Sequence, residues 1–173
     1  MIIFPSERAM SFLIRLFEKE DWPEVAEIYK QGIFTRQATF ETEVPDYETW
    51  RKKFHSHLLW VVVQQNEVAG WAGLQPVSAR KAYEGVVEVT IYIHPQHGGK
   101  GIGTTLLNHV VVQSEQAGIW TLYAVIFSEN AASIRLHKTA GFREIGYREK
   151  IAQLEGKWKD TVLFERRSRH IGI

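Results

Sequence analysis

Four of the six residues from Gly98 to Gly103 are glycine (Gly98-Gly-Lys-Gly-Ile-Gly103). The run follows a strand-like segment that stops at Pro95 and precedes a helical pattern. A glycine-rich turn between a strand and a helix brings backbone N–H groups close to an anion. The helix N-terminus adds partial positive charge, and Lys100 offers a full one. The same glycines could simply serve a tight strand-to-helix turn, though four is more than such a turn requires. Two phosphate-binding patterns are absent. There is no Gly-x-x-x-x-Gly-Lys-Ser/Thr, and Thr104 stands where the dinucleotide fingerprint needs its third glycine.

The strand before the turn alternates. Val87, Val89, Ile91 and Ile93 share one face, and Glu88, Thr90, Tyr92 and His94 share the other. A carboxylate in mid-strand beside an anion site is a candidate general base, because partial burial raises its pKa toward the working pH. The plainer reading is a half-exposed strand with a solvated polar face. His137 lies on a short helix after a long apolar strand and shares a face with Ile134. Asn130 is a natural N-cap for that helix. Each has a structural reading beside a functional one. The pairs His55/His57 and His94/His97 lack an evident third ligand, so no metal site is expected. No Gly-x-Ser-x-Gly elbow occurs.

These groups need a scaffold. Phe12–Phe17 reads as a strand, and Asp21-Trp-Pro-Glu24 as an N-cap with proline near the first helical position. The helix that follows buries Val25, Ile28 and Tyr29. Residues 32–44 read as a loop or a helix extension. Pro45-Asp46 opens a second helix carrying Tyr47, Trp50 and Phe54. Leu58–Val63 and Val68–Leu74 form a hairpin turning at Asn66, and Val86–His94 is a fourth strand. A helix from about Thr104 to Ala117 has Leu106, Leu107, Val110 and Val111 near helical spacing. Trp120–Phe127, almost wholly apolar, reads as a strand covered on both faces. A helix over 131–139 and strands near 142–151 and 158–164 complete the order β-α-α-β-β-β-α-β-α-β-β. That is a mixed sheet with helices against it.

The chain has 173 residues, 45% hydrophobic and 24% charged, as expected of one folded domain. Lysine plus arginine number 21 against 20 acidic residues, a net charge of +1. That balance argues against a nucleic-acid coat. The absence of cysteine rules out disulfides, thiolate zinc sites and cysteine nucleophiles. No stretch approaches the ~20 apolar residues that span a bilayer, and the first ten residues lack a signal-peptide pattern. Met10 is an alternative start. No nucleic-acid or membrane partner is expected, and the cytoplasm is the default location.

Taken in order, Glu88-Val-Thr-Ile-Tyr-Ile93, Gly99-Lys-Gly-Ile-Gly103, Asn130-Ala-Ala-Ser-Ile-Arg-Leu-His137 and Ala140-Gly-Phe142 resemble the GNAT acetyltransferases. Within them the chain is most similar to the phosphinothricin and methionine sulfoximine/sulfone N-acetyltransferases, from about Leu13 to Phe164. The resemblance implies the GNAT fold in the α/β class: an α+β mixed sheet of about seven mostly antiparallel strands and about four helices. Its fourth and fifth strands splay apart around acetyl-CoA. It implies one domain over 12–167, with an N-terminal extension over 1–11 and a C-terminal tail over 168–173.

The resemblance also implies roles. Pantetheine would pair with the backbone of Ile91, Tyr92 and Ile93. The pyrophosphate would rest on Gly99, Lys100, Gly101, Ile102, Gly103 and Thr104. Asn130 would contact the pantetheine arm and Ser133 would flank it. Glu88 matches the proposed base. His137 stands where many relatives carry a general-acid tyrosine. Arg80 and Tyr83 match the substrate loop, with the arginine pairing an α-carboxylate, and Phe40 matches an acceptor-pocket aromatic. Glu155–Asp160 matches the last hairpin. One departure is Gly98, where the family carries glutamine or arginine.

The implied reaction is direct acetyl transfer from acetyl-CoA to the α-amine of a small amino acid or analogue, in a ternary complex and without a metal. A homodimer is expected. Rival readings are a peptide or protein amine acetyltransferase, which would have an open groove, and a non-catalytic acyl-CoA sensor.

Overall fold

The computed structural model describes residues 12–173. The expected extension, the alternative start at Met10 and the reading of the first ten residues lie outside the described residues. Seven strands form one sheet: β1 (Leu13–Leu16), β2 (Leu59–Gln64), β3 (Glu67–Pro76), β4 (Val86–Ile93), β5 (Thr121–Phe127), β6 (Arg143–Leu154) and β7 (Lys157–Arg167). Their order is β1-β2-β3-β4-β5-β7-β6. Neighbours are antiparallel except β4 and β5, which run parallel. The helices are α1 (Trp22–Phe34), α2 (Tyr47–Arg51), α3 (Ile102–Gln116) and α4 (Ala131–Thr139). The expected α/β class, strand number and element order are all present.

Each face of the sheet has its own core. On one, Leu106, Leu107 and Val110 of α3 pack against Val87, Val89 and Leu122. On the other, Val25, Ile28 and Tyr29 of α1 join Trp50 and Trp71. Trp71 has no exposed surface, so truncating it to alanine would cost about 3–5 kcal/mol. The second core changes the reading of β4. Its polar face is half-buried rather than fully solvated, and at Tyr92 it is packed: that ring lies 5.0 Å from Tyr29 and stacks on Trp71 at 5.2 Å. Gly32 of α1 lets that ring approach, since a Cβ there would lie 2.4 Å from it.

Local chemistry moves several boundaries. Asp21 precedes α1, but its carboxylate does not cap it. Instead it accepts from the Glu18 amide and from Arg15, at 2.7–2.8 Å. Glu24 accepts from the Val68 amide at 2.8 Å, tying α1 to β3. Asp46 does cap α2, taking the Thr49 amide at 3.0 Å. That helix stops at Arg51, so Phe54 is buried from a turn rather than from the helix. α1 runs through Gly32 to Phe34, and the rest of 32–44 is loop. α3 begins two residues early, at Ile102, because Gly101 adopts φ +78° as its N-cap.

Candidate active site

Strands β4 and β5 pair over three rungs only: Val86–Thr121, Val87–Leu122 and Glu88–Tyr123. Beyond Glu88 they diverge. A cleft of ≈ 1020 Å³ opens there, walled by Glu88 to Ile93 on one side and Ala124 to Phe127 on the other. β4 stays bonded to β3 across the same stretch, with Ile91, Tyr92 and Ile93 opposite Ala72, Trp71 and Gly70. The edge of β4 that faces the cleft therefore carries backbone groups free to pair with an extended ligand.

The glycine turn forms one end. Gly99 and Gly101 have φ of +74° and +78°, and a Cβ on either would meet nothing within 4 Å. The first α3 bond runs from the Thr105 amide to the Gly101 carbonyl. The amides of Ile102, Gly103 and Thr104 thus precede the helical ladder and suit an anion. The fit to a pyrophosphate rests on backbone alone. The Ile102 side chain is in the core. Lys100 does not line the cleft: its ammonium turns back to the Gln96 carbonyl at 3.0 Å. Gly98 is extended, at φ −62° and ψ 151°, a conformation open to any residue.

Glu88 sits where the strands part. Burial pushes its carboxyl above the ordinary range, and the neighbouring Gln75 amide offsets part of that. His137 is 2% exposed. Its Nδ1 lies 2.8 Å from the Ser133 carbonyl and must donate to it. In the neutral ring Nε2 is then the acceptor, and it has no partner in the protein. Burial lowers the His137 pKa, partly offset by that carbonyl. Asn130 caps α4 through the Ser133 amide at 3.1 Å, and its Nδ2 donates to the Gln37 carbonyl at 3.0 Å. Asn130, Ser133 and His137 all line the cleft.

The other end is aromatic. Phe40 meets Phe127 edge-on at 4.7 Å, and Trp50, Phe54, Trp71 and Tyr92 close the wall. Four polar residues here, Tyr29, Thr39, Glu41 and Lys53, carried no chemical signal in the sequence. Tyr29 reads as helix core. Glu41 and Lys53 bracket α2 from irregular segments. Arg80 and Tyr83 are not brought to the cleft. They stand in the segment after β3, Tyr83 45% exposed, with the guanidinium 5.7 Å from the Tyr83 ring. His94 accepts from the Gln96 amide and His97 bonds Gln64 at 2.8 Å. Among the described residues no group of three metal-ligating side chains converges, and no helix is long and apolar enough to cross a membrane.

Residues 19–142 match the model of the Acetyltransferase (GNAT) family. The chain is 31% identical to a phosphinothricin N-acetyltransferase of Streptomyces viridochromogenes, over 88% of this chain and 86% of that protein. It is 27% identical to an L-methionine sulfoximine/L-methionine sulfone acetyltransferase of Salmonella typhimurium, over 88% and 92%. Its structure superposes with a TM-score of 0.84 on a GNAT superfamily phosphinothricin acetyltransferase from Sinorhizobium meliloti in complex with AcCoA. That match has 27% identity and covers 94% of this chain and 91% of the other.

Proposed function

The chain belongs to the Acetyltransferase (GNAT) family and is an acetyl-CoA-dependent N-acetyltransferase, and from that premise we propose that it acetylates the α-amine of a small amino acid or analogue of the phosphinothricin or methionine sulfoximine/sulfone type. The observation that carries this is the divergence of β4 and β5 at a half-buried carboxylate, Glu88, within one cleft that also holds the glycine cradle. The relatives named for those acceptors support the substrate class.

In this reading acetyl-CoA lies along the free edge of β4, with its pyrophosphate on the amides from Gly99 to Thr104. Asn130 and Ser133 flank the pantetheine. Both substrates share one cleft, so the reaction gains from proximity. The acceptor nitrogen attacks the thioester carbon, and Glu88, directly or through water, takes its proton. Backbone N–H groups of β4 face the oxyanion that forms. The intermediate then expels the CoA thiolate, which takes up a proton from solvent, and Glu88 returns its own proton to solvent. His137 fits the role of acceptor at Nε2 better than that of proton source, because burial opposes the imidazolium an acid would need. Phe40 walls the acceptor. Arg80 would meet the acceptor's carboxylate only from the segment leaving the cleft at Gln75. Arg80→Ala is expected to raise KM for amino acids more than for amines without a carboxylate.

The same reading takes the protein to be a cytoplasmic homodimer, tested by light scattering and fractionation. The function is tested by thiol release from acetyl-CoA, for which the chain's lack of cysteine keeps the background low. Fast release with an amino-acid analogue is expected. Release only with peptides would favour the peptide reading, and acetyl-CoA binding without any release would favour the sensor.

A further inference from the structure

The acceptor end of the cleft contains an ion pair that the reaction above does not use. Glu41 Oε1 lies 3.1 Å from Lys53 Nζ, and both residues line the cleft. Glu41 follows Phe40 directly, and Lys53 precedes Phe54, so each charge extends from a chain position next to an aromatic wall residue. Tyr29, Tyr92 and Thr39 line the same end of the cleft, and burial, more than the nearby charge of Glu41, holds both phenols protonated. The Glu41 amide donates to the Thr39 hydroxyl at 3.1 Å. The buried indole N–H groups of Trp50 and Trp71, in the same wall, have no partner in the protein. Half-exposed ion pairs contribute little to stability, so this pair is poorly explained as a fold device. It gives an otherwise aromatic box one charged acceptor and one charged donor, side by side.

We infer that Glu41 and Lys53 read the tip of the acceptor's side chain, and that they select a tip carrying an N–H and an oxygen on one centre. Lys53 donates to the oxygen and Glu41 accepts from the N–H. A sulfoximine satisfies both. A sulfone offers two oxygens and no N–H, so it leaves Glu41 unmatched. A phosphinate draws Lys53 but meets like charge at Glu41. A thioether satisfies neither. This inference rests on the proposed amino-acid acceptor and adds which member of that class fits.

The test is kcat/KM for L-methionine sulfoximine, L-methionine sulfone, phosphinothricin and L-methionine. It is measured in the unaltered enzyme and in the Glu41→Leu and Lys53→Met variants. Ratios taken within one variant cancel any general loss of folded enzyme. One charge-assisted contact corresponds to a preference of about tenfold for sulfoximine over sulfone. In Glu41→Leu that ratio should fall toward one and phosphinothricin should gain on the sulfone. In Lys53→Met both oxidised acceptors should lose ground to methionine. An unchanged sulfoximine-to-sulfone ratio in Glu41→Leu overturns the inference while the amino-acid reading stands. Acetyl-CoA binding with no turnover of any of the four overturns both.

Discussion

Glu88 pairs with Tyr123 at the last rung before β4 and β5 diverge. The carboxylate is thus fixed by sheet hydrogen bonds on a rigid element while its side chain reaches the cleft. Burial holds its pKa above the ordinary carboxylate value. As a general base it works only when ionised, so kcat/KM should rise with pH through that raised value. Glu88→Gln should lower kcat by about 10²–10⁴-fold and abolish the rising limb, with the Kd for acetyl-CoA unchanged. A near-normal kcat in that variant removes Glu88 as the base.

The same substitution has a thermodynamic signature. A carboxyl whose folded pKa is raised binds its proton more tightly in the native state. Stability is therefore lost as pH rises from the ordinary value, 4.5, through the folded one. Glu88→Gln removes that penalty and should raise Tm at neutral pH, by about 2–4 °C for each kcal/mol relieved. Scanning calorimetry of the two proteins checks it. A lower Tm in the variant would mean that the carboxylate stabilises the fold.

His137 carries the opposite linkage. Its folded pKa is depressed, so on acidification the unfolded chain protonates first. Its contribution is complete above the unfolded value of 6.5 and is lost as pH falls from there to the folded value. The slope is at most about 1.4 kcal/mol per pH unit. His137→Gln should flatten part of the acid fall in Tm. The rest should persist, since burial also depresses His97 and His109. An unaltered slope would show that His137 takes up its proton without strain.

Much of this architecture was legible in the sequence because its elements carry strong patterns. The alternation in β4, the apolar run of β5 and the helical spacing of α3 each imposed a period that packing could only confirm. The last hairpin was underestimated. β6 is an edge strand exposed along most of its length, so residues such as Arg148 and Glu149 showed no alternation to read. Asp21 had the right type and place for a cap, but the longer-range partner Arg15 took its carboxylate. The acceptor end was least legible. Glu41 and Lys53 meet from the irregular segments on either side of α2, and no local pattern encodes that contact. Arg80, placed at the acceptor by resemblance, stands outside the cleft.

Gly98 and Gly101 should answer substitution differently. Gly98 has an ordinary extended backbone, and a Cβ there would meet only the Pro95 carbonyl, at 3.3 Å. Gly101 has φ +78°, which costs an L-residue about 1–2 kcal/mol. Gly98→Arg should therefore fold and bind acetyl-CoA more tightly, by roughly tenfold for one charge-assisted phosphate contact. Gly101→Ala should weaken binding and lower Tm. Titration calorimetry with acetyl-CoA separates them, and weaker binding by Gly98→Arg would show that the turn has no room for the side chain.

Gly32 makes the cleft's aromatic wall sensitive from α1, at the cleft's own edge. It lies in α1, where alanine would ordinarily stabilise the helix by about 1 kcal/mol. Here a Cβ would stand 2.4 and 2.6 Å from two carbons of the Tyr92 ring. That ring is hemmed in, because Trp71 stacks on it and Tyr29 packs against it at a steep angle. Overpacking of this kind costs about 1–3 kcal/mol, so the net effect of Gly32→Ala should be a lower Tm. The relief available is a shift of Tyr92 toward the cleft, on the strand that carries Glu88. Gly32→Ala should then raise KM for the acceptor more than for acetyl-CoA. A Tm above that of the unaltered protein would mean that the ring yields without cost and that Gly32 is not what seats it.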